Sequence, residues 1–245
     1  MNIVLLAASE IRGDGHADLA DARAKHLIQV LKVGVGSDVR VGVIEGPTGT
    51  ATVAAIGDGR VTLECRFEKA PPARPRVDIL LAVPRPKVMR RLWAPLAELG
   101  VGQIILTNAD KVERDYFDTH LLREDGYRPL LITGLQQARD THVPRVSVHK
   151  RFKVLLEDEL PVLFQEGRRL MAHPDSTATI AGALRKIRPQ ERVLIAVGPE
   201  GGWNGFELAL LDAHGFAPIS MGPRTLATTT ACIALLALVH ASLVR

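Results

Sequence analysis

Cysteine and aromatic residues are scarce in this sequence. Cys65 and Cys232 are its only cysteines, they stand far apart, and no Cys-x-x-Cys pair occurs. That excludes a disulfide framework and a cysteine-built zinc site, and both residues read as small core side chains. Aromatics make up 4% of the chain, too few for base stacking to dominate the binding of a nucleic acid. Internal repeats and low-complexity tracts are also missing, which removes solenoids and tandem arrays. Residues 1–8 are apolar but lack a basic leader and meet Glu10, Arg12 and Asp14 at once, so they read as a first strand rather than a secretory signal. The uncharged run 225–243 approaches membrane length, but four threonines and a histidine interrupt it. It reads as a buried C-terminal helix, and the expectation is a soluble, cytoplasmic protein with no membrane partner.

What is present suits a folded protein. With 245 residues, 47% hydrophobic and 24% charged, the chain can bury one large core or divide into a small and a larger domain. Its net charge of +4 and pI of about 9.3 suit an anionic partner. Short β-branched runs at 2–6, 39–44, 51–56 and 61–66 are separated by Gly-Pro, Thr-Gly and Asp-Gly turn signals, the pattern of a small β-rich domain. Between the first two runs Ala24, Leu27, Ile28 and Leu31 recur at helical spacing, predicting an amphipathic helix that ends at Gly34. The stretch KAPPARPR, 69–76, reads as a linker. Beyond it, strands are predicted at 77–83, 103–107, 169–172, 193–197 and 217–221. Helical patterns lie between them, including Met89, Leu92, Trp93, Leu96 and Leu99, with a kink or break at Pro95, and 206–213. This alternation predicts an α/β fold with a mainly parallel sheet and helices on both faces. In such sheets ligands gather beyond the carboxyl ends of strands.

Two loops in those places stand out. VGPEGGW, 197–203, follows the strand LIAV, and MGPRTLATTTA, 221–231, follows APIS. Proline fixes φ, while glycine and small residues let backbone groups approach a flat ligand such as adenine. The alternative is that each is an ordinary strand-to-helix turn. A phosphate loop is excluded, because GPEGGW lacks the Gly-Lys-Ser/Thr ending and Glu200 would repel phosphate. No G-x-G-x-x-G fingerprint occurs either, so dinucleotide binding is not expected.

GPEGG after a buried strand, followed by GPR and Leu-x-x-x-Thr-Ala opening a C-terminal helix, resembles the small-subunit ribosomal RNA (uracil-N3) methyltransferase family of the SPOUT class. The agreement extends to Glu98-Leu99-Gly100-Val101, to Gln137 and Pro144, and to the N-terminal helix with His26 and Val30-Leu31. The resemblance implies a PUA-like β-barrel for RNA over 1–70 and a SPOUT α/β domain with a C-terminal trefoil knot over 76–245. It implies a homodimer, S-adenosylmethionine as cofactor, small-subunit (16S) ribosomal RNA as partner, and no metal. The cofactor loops map to Ala172, His173 and Pro174; to Val197, Gly198, Pro199, Glu200, Gly201 and Gly202; and to Ser220, Met221, Gly222, Pro223, Leu226, Ala227, Thr228, Thr230 and Ala231.

Uracil N3 becomes nucleophilic as its proton leaves, and negative charge then builds on the flanking carbonyl oxygens. A fixed cation there lowers the barrier. Arg224 is the candidate, with a loop cap or an ion pair as its alternative role. Glu200 could orient the base, accept the N3 proton or offset the sulfonium charge, or else cap the next helix. His173 is a lone histidine before proline and reads as structural. RNA contacts are expected from Arg12, Arg23, Lys25, His26 and Lys32, and from Arg85, Lys87, Arg90 and Arg91. The chain departs from the family at Ala227 and Thr229, where Arg and Glu are usual, and at Pro95 and Ala97, where Lys and Thr are common. Those losses keep open a non-catalytic RNA-binding descendant, or a methyltransferase for a different RNA.

Overall fold

A computed structural model describes the chain except for Lys69, the first residue of KAPPARPR, and Arg245, which lie outside the described residues. Its contacts form two units, Met1–Arg74 with Ile132–Val143, and Pro75–Leu131 with Pro144–Arg245. A single boundary between 70 and 76 therefore leaves out one feature: twelve-odd residues from the middle of the chain group with the N-terminal segment.

The first unit contains β1 (Val4–Leu6), β2 (His16–Leu19), α1 (Ala22–Gln29), β3 (Asp38–Val43), β4 (Thr48–Gly57) and β5 (Arg60–Phe67). They form one sheet in the order β1-β3-β4-β5-β2, with β1 and β3 parallel and the other pairs antiparallel. The β4–β5 hairpin turns at Asp58 and Gly59, with φ of 49° and 73°. Two successive left-handed residues match the twist of the flanking strands, which is what an Asp-Gly pair supplies. Hydrogen bonding leaves β1 and β2 as separate edges, so pairing does not close the expected barrel. Helix α1 sends Ala24 and Leu27 into the core beside Val41, Val53 and Leu63. This helix ends at Gln29, short of the predicted Gly34, because Lys32 takes φ 52° and turns the chain out of the helix. Leu31 is consequently 49% exposed instead of buried.

The second unit holds β6 (Val77–Ala82), α2 (Pro86–Glu98), β7 (Val101–Thr107), α3 (Glu124–Ala138, whose last residues belong to the first unit), β8 (Arg145–His149) and α4 (Phe152–Val154). A π turn (Leu155–Glu159) and α5 (Leu160–Leu163) lead to β9 (Arg168–Ala172), α6 (Ile180–Leu184), β10 (Val193–Val197), α7 (Gly205–Ala213), β11 (Phe216–Ile219) and α8 (Thr228–Leu243). All six strands are parallel, in the order β11-β9-β10-β6-β7-β8. Every residue of β6 and β10 is buried, which requires cover on both faces and explains their unbroken apolar runs. Helix α2 passes through Pro95 without a break. Fully buried Leu92, Trp93 and Leu96 hold that turn in place against the missing hydrogen bond. Among the described residues no helix is long and apolar enough to cross a membrane.

Candidate functional site

Parallel strands end on one edge of their sheet, and the neighbours β11, β9 and β10 end there at Ile219, Ala172 and Val197. The loops beyond them enclose a cleft of about 400 Å³, a size that suits a small organic ligand. Its walls come from Ala172, His173 and Pro174 after β9, from Val197 through Trp203 after β10, and from Ile219, Met221, Gly222, Arg224, Thr225 and Leu226 after β11, with Thr228 and Ala231 of α8.

Local chemistry fixes each wall. After β10, the Gly202 amide donates to the Pro199 carbonyl at 2.8 Å, closing a turn with Glu200 and Gly201 at its tip. A Cβ on Gly198 would come within 3.0 Å of the Trp203 indole, which itself stacks on Phe152 at 5.2 Å; a larger residue there would have to push the indole aside. Lys111 Nζ donates to the Gly201 carbonyl at 2.6 Å. The cap of α7 belongs to Asn204 and Glu207, which bond each other's backbone amides at 2.9 and 2.8 Å. Glu207 also accepts the Asp110 amide at 2.7 Å. Glu200 is thus relieved of capping, and Arg85 Nε lies 3.4 Å from its Oε2. The Arg85 pKa is raised, first by a hydrogen bond to Tyr116 and then by the charge of Glu200.

After β11, Ser220 gives its amide to the Ala178 carbonyl and its Oγ accepts the Gly222 amide at 3.0 Å. Gly222 sits at φ 107°, a conformation closed to other residues. The His173 amide donates to the Ile219 carbonyl, and its Nδ1 accepts the Asp175 amide at 3.3 Å; the ring braces its own turn. Arg224 is exposed, lines the cleft, and has no carboxylate partner among the described residues. Among the described residues Glu200 is the one acid in the walls and Arg224 the one arginine.

Of the residues expected to form the pocket, Ser220, Pro223, Ala227 and Thr230 do not line it. Trp203, Ile219 and Thr225 line it without having been singled out. Trp203 and Thr225 sit inside the two motif loops and Ile219 ends the strand before the second, so continuity along the motifs was the available signal. Among the cations expected to meet RNA, Arg12 pairs with Asp14 and Asp18. Arg23 is bound by Glu10, Asp21 and the Leu5 carbonyl, and these carboxylates raise its pKa further. Both charges are neutralised within the first unit. Among the described residues His26 is half-buried with Nε2 unpartnered, whereas Lys25 and Lys32 are exposed and form no ion pair. In the second unit Lys87, Arg90 and Arg91 are exposed on α2, and Arg85 is committed to Glu200.

The RNA methyltransferase domain family matches residues 71–240. Over 247 aligned residues the chain is 31% identical to the ribosomal RNA small subunit methyltransferase E of Treponema pallidum, covering 99% of this chain and 91% of that protein. It is 25% identical to ribosomal RNA small subunit methyltransferase E 1 of Borreliella burgdorferi, over 96% and 95% of the two chains. The fold is that of the ribosomal RNA small subunit methyltransferase E of Neisseria gonorrhoeae, solved bound to S-adenosyl methionine. The TM-score is 0.73 and the identity 22%, covering 96% of this chain and 95% of that one. A family match across most of the chain, together with a near full-length relative above 30% identity, establishes that the chain belongs to the RNA methyltransferase domain family and, within it, to the ribosomal RNA small subunit methyltransferase E group.

Proposed function

We propose that this protein is a cytoplasmic, homodimeric, S-adenosylmethionine-dependent methyltransferase acting on N3 of a uridine in small-subunit (16S) ribosomal RNA. The observation that carries the reading is a cleft at the ends of three parallel strands, bearing, among the described residues, one arginine without a carboxylate partner and one carboxylate. The cofactor fits what is there. Gly202 and Gly222 line the cleft with nothing within 4 Å of where a Cβ would stand, so a flat base can approach the backbone there, and among the described residues the lining holds one arginine and no lysine, not the cluster of cations that a polyphosphate needs.

When bound, S-adenosylmethionine supplies an electrophilic methyl group whose bond pair returns to sulfur on transfer. The chain contributes position and charge. Arg224, with no acid to neutralise it among the described residues, meets the negative charge that grows on the uracil carbonyl oxygens as N3 loses its proton. The walls of small residues, Trp203 and Leu226 exclude water around the reacting atoms. The departures at Ala227 and Thr229 lie outside the cleft lining, which favours retained catalysis over a non-catalytic descendant.

The first unit serves in this reading as the PUA-like RNA-binding domain, supported by its small mixed sheet, its α1 and the free Lys25 and Lys32. RNA also runs along α2, where Lys87, Arg90 and Arg91 stand at helical spacing on one side. The second unit carries the trefoil knot. In support, β10 lies between β9 and β6, and α8 returns from the cleft to pack against both β6 and β10. Exposed Ile233 and Leu238 on α8 supply apolar surface for the homodimer.

The test is methyl transfer from labelled S-adenosylmethionine to small ribosomal subunits from a strain lacking this protein, followed by nucleoside analysis. Label is expected in 3-methyluridine. Arg224→Ala should lose roughly 10²- to 10³-fold in rate, the scale of one oxyanion-stabilising donor, with cofactor affinity retained. Label in another nucleoside, or wild-type turnover in the variant, would count against the assignment.

A further inference from the structure

The family motif explains the backbone of the loop after β10, but not what Arg85 does there. By sequence Arg85 is one of a run of cations suited to phosphate. In the structure its Nε faces Glu200 Oε2 at 3.4 Å, and it also hydrogen-bonds the Tyr116 hydroxyl. That hydroxyl spends its own proton on Glu113 Oε1 at 3.0 Å, which leaves the phenol oxygen as an acceptor for the guanidinium. Lys111, from the same segment, grips the loop backbone at the Gly201 carbonyl, and a Cβ on Gly201 would lie 2.7 Å from its Cδ. The turn is therefore held at its backbone by Lys111 and at its acid by Arg85.

We propose that Arg85 is a positioning residue of the reaction: braced by Tyr116, it holds the Glu200 carboxylate at the cleft, where Glu200 receives the N3 proton of the target uracil. This rests on the methyltransferase reading above. Of these groups only Glu200 lines the cleft, so Arg85, Tyr116 and Glu113 act through it. An unsupported carboxylate at the tip of a turn samples several rotamers, and fixing one at the moment of reaction costs entropy; the bracket meets that cost beforehand. Among the described residues Arg85 at the start of α2 is ion-paired with Glu200, Lys111 from the segment after β7 holds the carbonyl of the next residue, and Arg224 lines the same cleft. Their roles separate, since Lys111 is spent on a carbonyl and Arg224 has no carboxylate partner among the described residues. In the proton step the N3–H bond breaks, its proton goes to a Glu200 oxygen, and the electron pair stays on nitrogen to form the bond to the methyl carbon. Glu200, with 42% of its side chain exposed, returns the proton to water.

The experiment compares Arg85→Gln, Arg85→Lys, Tyr116→Phe and Glu200→Gln in the full-length protein. Readouts are kcat and KM on small subunits at saturating cofactor, and amide exchange without ligand. Arg85→Gln should lower kcat about 10- to 100-fold, a part of what a general base contributes, while KM and cofactor affinity stay within about twofold. Arg85→Lys should recover most of the rate. Adding Arg85→Gln to Glu200→Gln should change nothing further, because both remove one device. Amides of the turn at Gly201 and Gly202 should exchange faster in Arg85→Gln. If instead Arg85→Gln raises KM, flattens the salt dependence of RNA binding by about one unit and spares kcat, Arg85 is a phosphate contact and the proposal is wrong. Multiplying effects in the double variant would overturn it as well. A wild-type protein that transfers no methyl group would refute the function itself, whereas the exchange experiment reads the bracket independently.

Discussion

Asp78 lies in the first strand of the large sheet with its side chain 1% exposed, and Arg192 meets it with Nε and Nη2. Burial raises the Asp78 pKa, and Arg192 is the largest influence lowering it. A carboxyl whose folded pKa lies above its unfolded one binds protons more tightly when folded. Its charge therefore costs stability at pH values above the folded pKa, and that cost disappears below the unfolded one. Arg192→Met should strand the carboxylate and destabilise the protein by about 3 kcal/mol at pH 7, with stability returning as acid neutralises Asp78. Asp78→Asn should cost less, because Arg192 is 38% exposed and keeps its water. Denaturant unfolding at pH 7 and pH 5 checks both, and equal losses that ignore pH would contradict the account. Residues of this kind mark the limit of legibility in the sequence. The cleft loops could be read because GPEGG and GPR are local strings whose chemistry depends on their own backbone. Arg12 and Arg23 could not be told from free cations, because Asp18 and Glu10 reach them only once the sheet has folded.

At the scale of elements, the buried strands β6 and β10 and the helix α8 were legible because apolar runs and helical periods survive any arrangement of neighbours. Helix α3 and the strands β2 and β8 were not. Gly126, Pro129 and Gly134 punctuate α3 as if it were a loop, and β2 and β8 are edge strands of four and five residues. Two substitutions separate propensity from packing here. Pro95→Ala restores an amide inside α2 and should stabilise by about 1 kcal/mol, raising Tm by about 2–4 °C. Gly126→Ala also improves helix propensity, yet its Cβ would fall 2.1 Å from the His120 carbonyl oxygen. The start of α3 would have to move, with a loss of about 1–3 kcal/mol. Thermal melts of the two variants should therefore shift in opposite directions, and a rise for both would mean that propensity outweighs the close approach.

At the scale of the whole molecule, the sequence places a domain boundary at the proline-rich stretch, and the contacts group residues 132–143 with the segment before it. The Gln136 carbonyl accepts the amides of Asn2 and Ile3 at 2.9 and 3.2 Å. Thr141 accepts the Glu45 amide and donates its hydroxyl to the Gly46 carbonyl at 2.6 Å, and the Val143 amide donates to Glu45 Oε1. Thr141 Cγ2 also crowds Gly42 beside Ile3 and Leu5, where a Cβ would come within 2.7 Å. No local signal in 132–143 announces this, because the segment pairs through backbone groups and one threonine hydroxyl rather than through a periodic apolar face. A fragment of residues 1–74 thus loses partners for three backbone amides, two just before β1 and one after β3, each a stabilising bond of about 1 kcal/mol. It also exposes Ile3 and Leu5, now 3% and 1% accessible, and burying each contributes about 1.5–3 kcal/mol. For so small a unit that sum approaches its whole stability. The isolated 1–74 fragment should show little amide protection in β1 and β3, and a version carrying 132–143 on a flexible linker should regain it. Native-like protection in the bare fragment would mean that the β4–β5 hairpin and α1 suffice to hold the sheet.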